Sequence, residues 1–108
     1  MSFEVRTISV FEKEFKKLSK KYPSLKSDLF RLVKQLEDNP FIGTSLGKDF
    51  YKVRVSILSK GKGKSGGARI IICVKIIQKR VYLAAIYDKS EKSTITDSEL
   101  KLLANQIG

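Results

Sequence analysis

The sequence predicts an α+β fold: an antiparallel sheet with two N-terminal helices packed on one face and a short C-terminal helix. Three observations carry that reading. Apolar residues recur at helical spacing as far as Leu36, they alternate with polar residues from Tyr51 onward, and a last helical stripe closes the chain at Leu100, Leu103, Ala104 and Ile107. Two amphipathic helices followed by a run of strands must bury their stripes against the sheet, which places both helices in one layer.

The elements follow in order. Phe3 to Ile8 alternates enough for a short strand. Ser9 and Glu12 have the spacing of a capping box, in which the hydroxyl takes a free helix N–H. Phe11, Phe15, Leu18 and Tyr22 then form one apolar stripe. Pro23 suits the first turn of a second helix, because its missing N–H has no partner there anyway. Leu25, Leu29, Leu32, Val33 and Leu36 stripe that helix, which ends near Asp38-Asn39-Pro40.

Tyr51 to Ile57 alternates strictly. Tyr51, Val53, Val55 and Ile57 point toward the helices; Lys52, Arg54 and Ser56 point away. Ala68 to Ile77 is long and β-branched and reads as a central strand. Ile70, Ile72, Val74 and Ile76 lie on its helical face and Arg69, Ile71 and Cys73 on the other. Val81 to Tyr87 follows after a tight connection through Gln78-Lys79-Arg80. Thr96 with Glu99 repeats the capping-box spacing before the last helix. No internal repeat or boundary interrupts residues 1–108, so one domain is expected.

Composition narrows the chemistry. At 42% hydrophobic and 31% charged, the chain can bury one core and is no disordered tail. With no His and Cys73 alone, zinc clusters, disulfide frameworks and His-based triads are excluded, and no metal or cofactor is expected. The start of the chain lacks a signal-peptide pattern, and no apolar run approaches the roughly 20 residues of a membrane span. A soluble, cytoplasmic protein with no membrane partner is the expectation.

The net charge of +11 points to a polyanionic partner. It is not evenly spread. Residues 48–69 hold Lys48, Lys52, Arg54, Lys60, Lys62, Lys64 and Arg69 against Asp49 alone, more than half of the excess. A focused excess reads as a docking surface. Gly61 to Gly67 contains the Gly-Lys-Ser ending of a phosphate-binding loop. Leu58 stands where that motif needs its first glycine, and a strand follows instead of a helix, so nucleotide hydrolysis is set aside. The segment is expected to be a glycine-rich loop whose Lys60, Lys62 and Lys64, with Lys48, touch a nucleic-acid backbone. Lys52 and Arg54 lie about 6.7 Å apart along their strand, and Arg69 shares their face without a carboxylate among them. Cys73 is expected to be a buried apolar filler.

The sequence resembles the RelE/ParE superfamily of toxins from bacterial toxin–antitoxin pairs, most closely its HigB- and RelE-like members. The motifs that carry the resemblance are Tyr51-Lys52-Val53-Arg54, Gly66-Gly67-Ala68-Arg69-Ile70-Ile71 and the run Ile86-Tyr87-Asp88-Lys89-Ser90-Glu91-Lys92, with Leu100 on a terminal helix. It covers nearly the whole chain. For RelE- and HigB-like members the resemblance implies a RelE-like fold, an antitoxin partner, and cleavage of mRNA on the ribosome. It places Lys52, Arg54 and Arg69 at the scissile phosphate, with Lys89 and Lys92 in the segment that supplies a further basic residue. Many relatives carry an aromatic after that segment to stack a base. Thr94, Ile95 and Thr96 stand there in this chain, which leaves Tyr87 as the nearest aromatic. Asp49 and Glu91 are weak candidates for a carboxylate base. Lys52 qualifies as the base only with help from neighbouring cations and exclusion of water. Two other readings stand beside this one: a ParE-like poison of DNA gyrase, and a non-catalytic RNA-binding module.

Overall fold

The structure, a computed structural model, describes residues 2–60 and 67–107. Its elements are β1 (Glu4–Thr7), α1 (Ser9–Lys21), α2 (Leu25–Asp38), β2 (Thr44–Gly47), β3 (Phe50–Val55), β4 (Ala68–Lys75), β5 (Arg80–Asp88) and α3 (Asp97–Gln106), with a 3-10 turn at Leu58–Lys60. The sheet has the order β1-β5-β4-β3-β2. Among the described residues no helix is long and apolar enough to cross a membrane.

The stripes of α1 and α2 bury Phe11, Leu25, Leu32 and Leu36 against Val53, Val55, Ile70, Ile72, Val74, Val81, Leu83 and Ile86. Both helices therefore lie on one face of the sheet, as the periodicity predicts. The other face carries Phe50, Ile71, Cys73, Ala84, Ala85 and Tyr87, and α3 covers part of it through Leu103 and Ile107. Cys73 is a buried free thiol there, its pKa pushed up by burial.

Several expectations are corrected. The sheet is not wholly antiparallel: β1 pairs parallel with β5, Glu4 beside Arg80 through Thr7 beside Leu83. The meander β2-β3-β4-β5 leaves the outer edge of β5 open, and β1 fills it in the direction that feeds α1 onto the same layer. A fifth strand, β2, is present; at four residues, two of them hydroxylated, it has too little pattern to announce itself. It pairs with β3 through a turn with positive φ at Gly47, Lys48 and Asp49. Ser9 is already inside α1, whose N-cap Ile8 has no side-chain cap bond, and Thr7 hydrogen-bonds Glu12 instead. Pro23 belongs to the turn between the helices, since α2 begins at Leu25. β4 stops at Lys75, so Ile76 leaves the core face and Ile77 is 98% exposed at the β4–β5 turn. The box at Thr96 and Glu99 forms as expected, with both reciprocal bonds made.

Candidate functional site

Register decides which cations meet. In the β3–β4 ladder Arg54 stands opposite Arg69 and Lys52 opposite Ile71. Opposed residues of an antiparallel pair share a face, and so do residues two apart on one strand. Lys52, Arg54 and Arg69 therefore leave the sheet on the side away from α1 and α2. Lys89, one residue beyond β5, joins them around one cavity of about 460 Å3, walled by Thr44 and Ser93. Because α3 packs over the Phe50 and Cys73 end of this face, the Arg69 end stays open.

Arg69 is only 7% exposed. Its Nη1 donates to the Ala68 carbonyl at 3.3 Å, a weak bond that leaves most of its five N–H donors for a ligand. Among the described residues none of the four cations has an ion-pair partner. An ordinary protein face interleaves both signs; this cavity gathers four cations with no carboxylate in its lining.

Backbone contacts hold the pocket's shape. A Cβ on Gly43 would lie 2.5 Å from the Lys52 carbonyl, so only glycine lets the chain pass closely enough for Thr44 to pair with Lys52. Gly67 has φ +83°, and a Cβ there would lie 2.4 Å from the Val55 carbonyl. The Gly67 carbonyl accepts the Lys89 N–H at 3.2 Å, tying the start of the post-β5 turn to the start of β4. Asp88, 1% exposed, anchors the same turn from beneath. Its carboxylate accepts from the Tyr22 hydroxyl at 2.7 Å and from the Ser90 N–H and hydroxyl at 2.9 and 2.8 Å.

Of the described residues singled out from sequence, Lys52, Arg54, Arg69 and Lys89 line one cavity, and Lys48, Tyr87 and Lys92 do not line it. Lys92 is ion-paired with Glu99 and stands 5.4 Å over the Tyr87 ring. That contact, with Glu99 hydrogen-bonded at the α3 N-terminus, holds the Glu99 carboxyl below the ordinary carboxylate range. Tyr87 faces the same side as Arg69 but is 8% exposed beneath Lys92, so its ring offers no stacking surface. Burial pushes its phenol pKa up, and its hydroxyl has no hydrogen-bond partner among the described residues. Lys48 lies at the β2–β3 turn beside Asp97 and Lys101 of α3, at the opposite end of β3 from Arg54. The backbone of Lys60 closes the 3-10 turn, while Lys62 and Lys64 lie outside the described residues. Asp49 pairs with Lys75 at 3.9 Å and Glu91 with Lys21 at 3.3 Å; neither carboxylate lines the cationic cavity. Sequence reasoning missed Thr44 and Ser93, which come from a strand and a loop without periodic signal. Gly43, just ahead of Thr44, was the one available hint of a close backbone approach.

Fold and pocket together define a class: a small basic α+β protein with four cations gathered at the open end of one sheet face. The chain belongs to the RelE toxin family, since residues 8–107 match the model of the RelE toxin of the RelE/RelB toxin–antitoxin system. It is accordingly the toxin of such a pair, and its partner is an antitoxin. Two solved structures share the fold. A double arginine-to-alanine mutant of the E. coli toxin RelE in the free state is 16% identical with a TM-score of 0.61, over 98% of this chain and 94% of that one. The isolated E. coli RelE toxin is 16% identical with a TM-score of 0.62, over 96% and 98%.

Proposed function

We propose that this toxin is a ribosome-dependent endoribonuclease that cuts mRNA and thereby stops translation in the cytoplasm. The observation that carries the reading is the convergence of Lys52, Arg54, Arg69 and Lys89 on one cavity that no carboxylate lines. RNA carries its own nucleophile. Its 2′-oxygen attacks the adjacent phosphorus, the bond to the 5′-oxygen breaks, and a cyclic phosphate and a free 5′-hydroxyl result. One proton leaves the 2′-hydroxyl and another reaches the 5′-oxygen. The developing negative charge lies on the phosphoryl oxygens, where preorganised cations lower the barrier. Arg54 and Arg69 suit that task, because a guanidinium keeps its charge and matches two oxygens at once. With no carboxylate lining the cavity, proton transfer falls to the lysines, to the Thr44 and Ser93 hydroxyls, or to groups that the ribosome brings. Docking on the ribosome would also fix the strand for in-line attack, which alone is worth several orders of magnitude. A gyrase poison would leave these four cations without a task.

The test is to induce the protein and map mRNA 5′ ends on translating ribosomes. New ends inside reading frames at ribosome-occupied codons, with naked mRNA cut far more slowly, are expected. Growth arrest with no new ends and falling DNA supercoiling would replace this reading with gyrase poisoning.

A further inference from the structure

Around the edge of β3, on the α2 side, lies a second groove of about 320 Å3 that the site described above does not use. Arg54 lines both cavities, so the two adjoin at that residue. The partner strand β2 ends its pairing at Thr44 opposite Lys52, which leaves β3 an open edge beyond that point. The floor of the groove is mainly apolar, formed by Leu32, Val55 and the exposed Leu58, with the buried carboxylate of Asp28 also in its lining beneath Arg31. Its rim is polar, with Arg31 and Gln35 one helical turn apart on α2 and Arg54 and Ser56 on the strand side.

Arg31 is unusual for a surface arginine. Its Nη2 donates to Asp28 Oδ1 at 2.5 Å, and that carboxylate is buried while the arginine stays more than half exposed. Asp28 is itself held by the Ser24 hydroxyl at 2.7 Å and the Leu58 N–H at 3.2 Å. A carboxylate fixed from three sides thus holds a guanidinium in the lining of the groove, and its other N–H groups make no hydrogen bond among the described residues. Preorganised arginine loses less side-chain freedom when it takes a phosphate. A volume of this size falls at the lower end of small-ligand sites.

We propose that this groove is a second nucleotide subsite for single-stranded RNA: the strand leaves the cationic pocket over Arg54, its next phosphate meets Arg31, and its base lies on Leu58. The proposal rests on the RNA reading of the cationic pocket. The shared Arg54, the apolar floor and the arginines of the rim favour a nucleotide over an acidic peptide, which would want more charge and less floor.

The test uses the full chain and two labelled RNA oligonucleotides, a dinucleotide and a pentanucleotide, with affinity read by fluorescence anisotropy across a salt series. Arg31→Gln should weaken the pentanucleotide by about tenfold, the loss of one charge-assisted contact. It should also make that oligonucleotide's salt slope shallower by about 0.7 and leave the dinucleotide unchanged. Because Arg31→Gln deprives Asp28 of its cation, Gln35→Glu serves as the second variant. It leaves the Asp28 contacts to Ser24 and Leu58 in place, adds a carboxylate to the rim, and should repel the longer strand selectively. Equal effects on both lengths, or none on either, overturn the subsite. Arg69→Ala separates the two failures: if it changes neither oligonucleotide, the RNA reading of the main pocket falls. If it weakens both while the groove variants do nothing, only the subsite falls. Selective loss of an acidic peptide in place of RNA would reassign the groove to protein binding.

Discussion

Arg69→Met removes the charge of a buried arginine while keeping an unbranched stem in β4. Arg69 stands directly across from Arg54, and no carboxylate pairs with either among the described residues. Opposed residues have Cβ atoms about 4.5–5.5 Å apart, and like charges there destabilise the pair. Two unit charges about 6 Å apart repel by roughly 0.7 kcal/mol in water and 2.8 kcal/mol at an effective dielectric of 20. Arg54 is exposed, so the value sits near the lower end. The methionine gives up only the 3.3 Å bond to the Ala68 carbonyl and relieves a buried, unpaired charge of its desolvation. A gain of about 1 kcal/mol follows, or a rise in Tm of about 4 °C or more for a domain of this size. Activity should move the other way. Removing one preorganised donor from a developing oxyanion commonly costs about 10²–10³ in rate, whereas ribosome affinity, spread over a large interface, should fall only modestly. Circular dichroism melts give the first quantity; single-turnover cleavage on programmed ribosomes, with affinity measured separately, gives the second. A natively folded Arg69→Met protein that melts below wild type would refute the electrostatic reasoning. A variant that cuts at the wild-type rate would refute the active-site face.

Other outcomes are equally definite. If four phosphate contacts hold single-stranded RNA, log affinity should fall with log salt at a slope of roughly −2.8, about 50-fold between about 50 and 200 mM; a flat salt titration would exclude a phosphate-dominated site. Gly67→Ala forces a side chain into positive φ and against the Val55 carbonyl, so it should destabilise by about 1–3 kcal/mol and weaken cleavage with it, since Lys89 hangs on the Gly67 carbonyl; a melt indistinguishable from wild type would show that the strand starts can part freely. Glu14 is half-buried against the Ile86 N–H, and burial, its largest influence, raises its carboxyl pKa above 4.5. A carboxyl with a raised folded pKa takes up protons on folding, so its contribution favours the folded state at acid pH and is lost as pH climbs from the unfolded value through the folded one. Glu14→Gln keeps an oxygen acceptor and should flatten that part of the stability profile, and an unchanged profile would remove Glu14 as its source.

Legibility in the sequence followed periodicity. The stripes Phe11 to Tyr22 and Leu25 to Leu36 are long enough to specify helix, face and partner, and the structure buries those positions against the sheet. Alternation in Tyr51 to Ile57 placed Lys52 and Arg54 on the outer face, and the register opposite Arg54 then brought in Arg69. Turns and short strands carry no such repeat. β2 was invisible for that reason, and Ile76 and Ile77, apolar and β-branched, were drawn into a strand that ends at Lys75.

Two features of the site were decided only by tertiary structure. The first is a bulge. Ile71 pairs with Ala85 and Ile72 with Leu83, so Ala84 is an extra residue in β5. Strict alternation from Val81 and Leu83 would send Ala85 and Tyr87 toward the helices. One inserted residue reverses the parity, putting Ile86 in the helical core and Tyr87 across from Arg69. The second is the reach of α3. Its stripe says that it covers apolar surface but not where, and it docks over the Phe50 and Cys73 end while leaving the Arg69 end open. Local sequence determines which residues share a strand face or a helix stripe, because that depends on backbone period alone. Which strands are shifted by a residue, and which stretch of a face stays uncovered, depends on how distant elements pack, and there the cationic pocket is made.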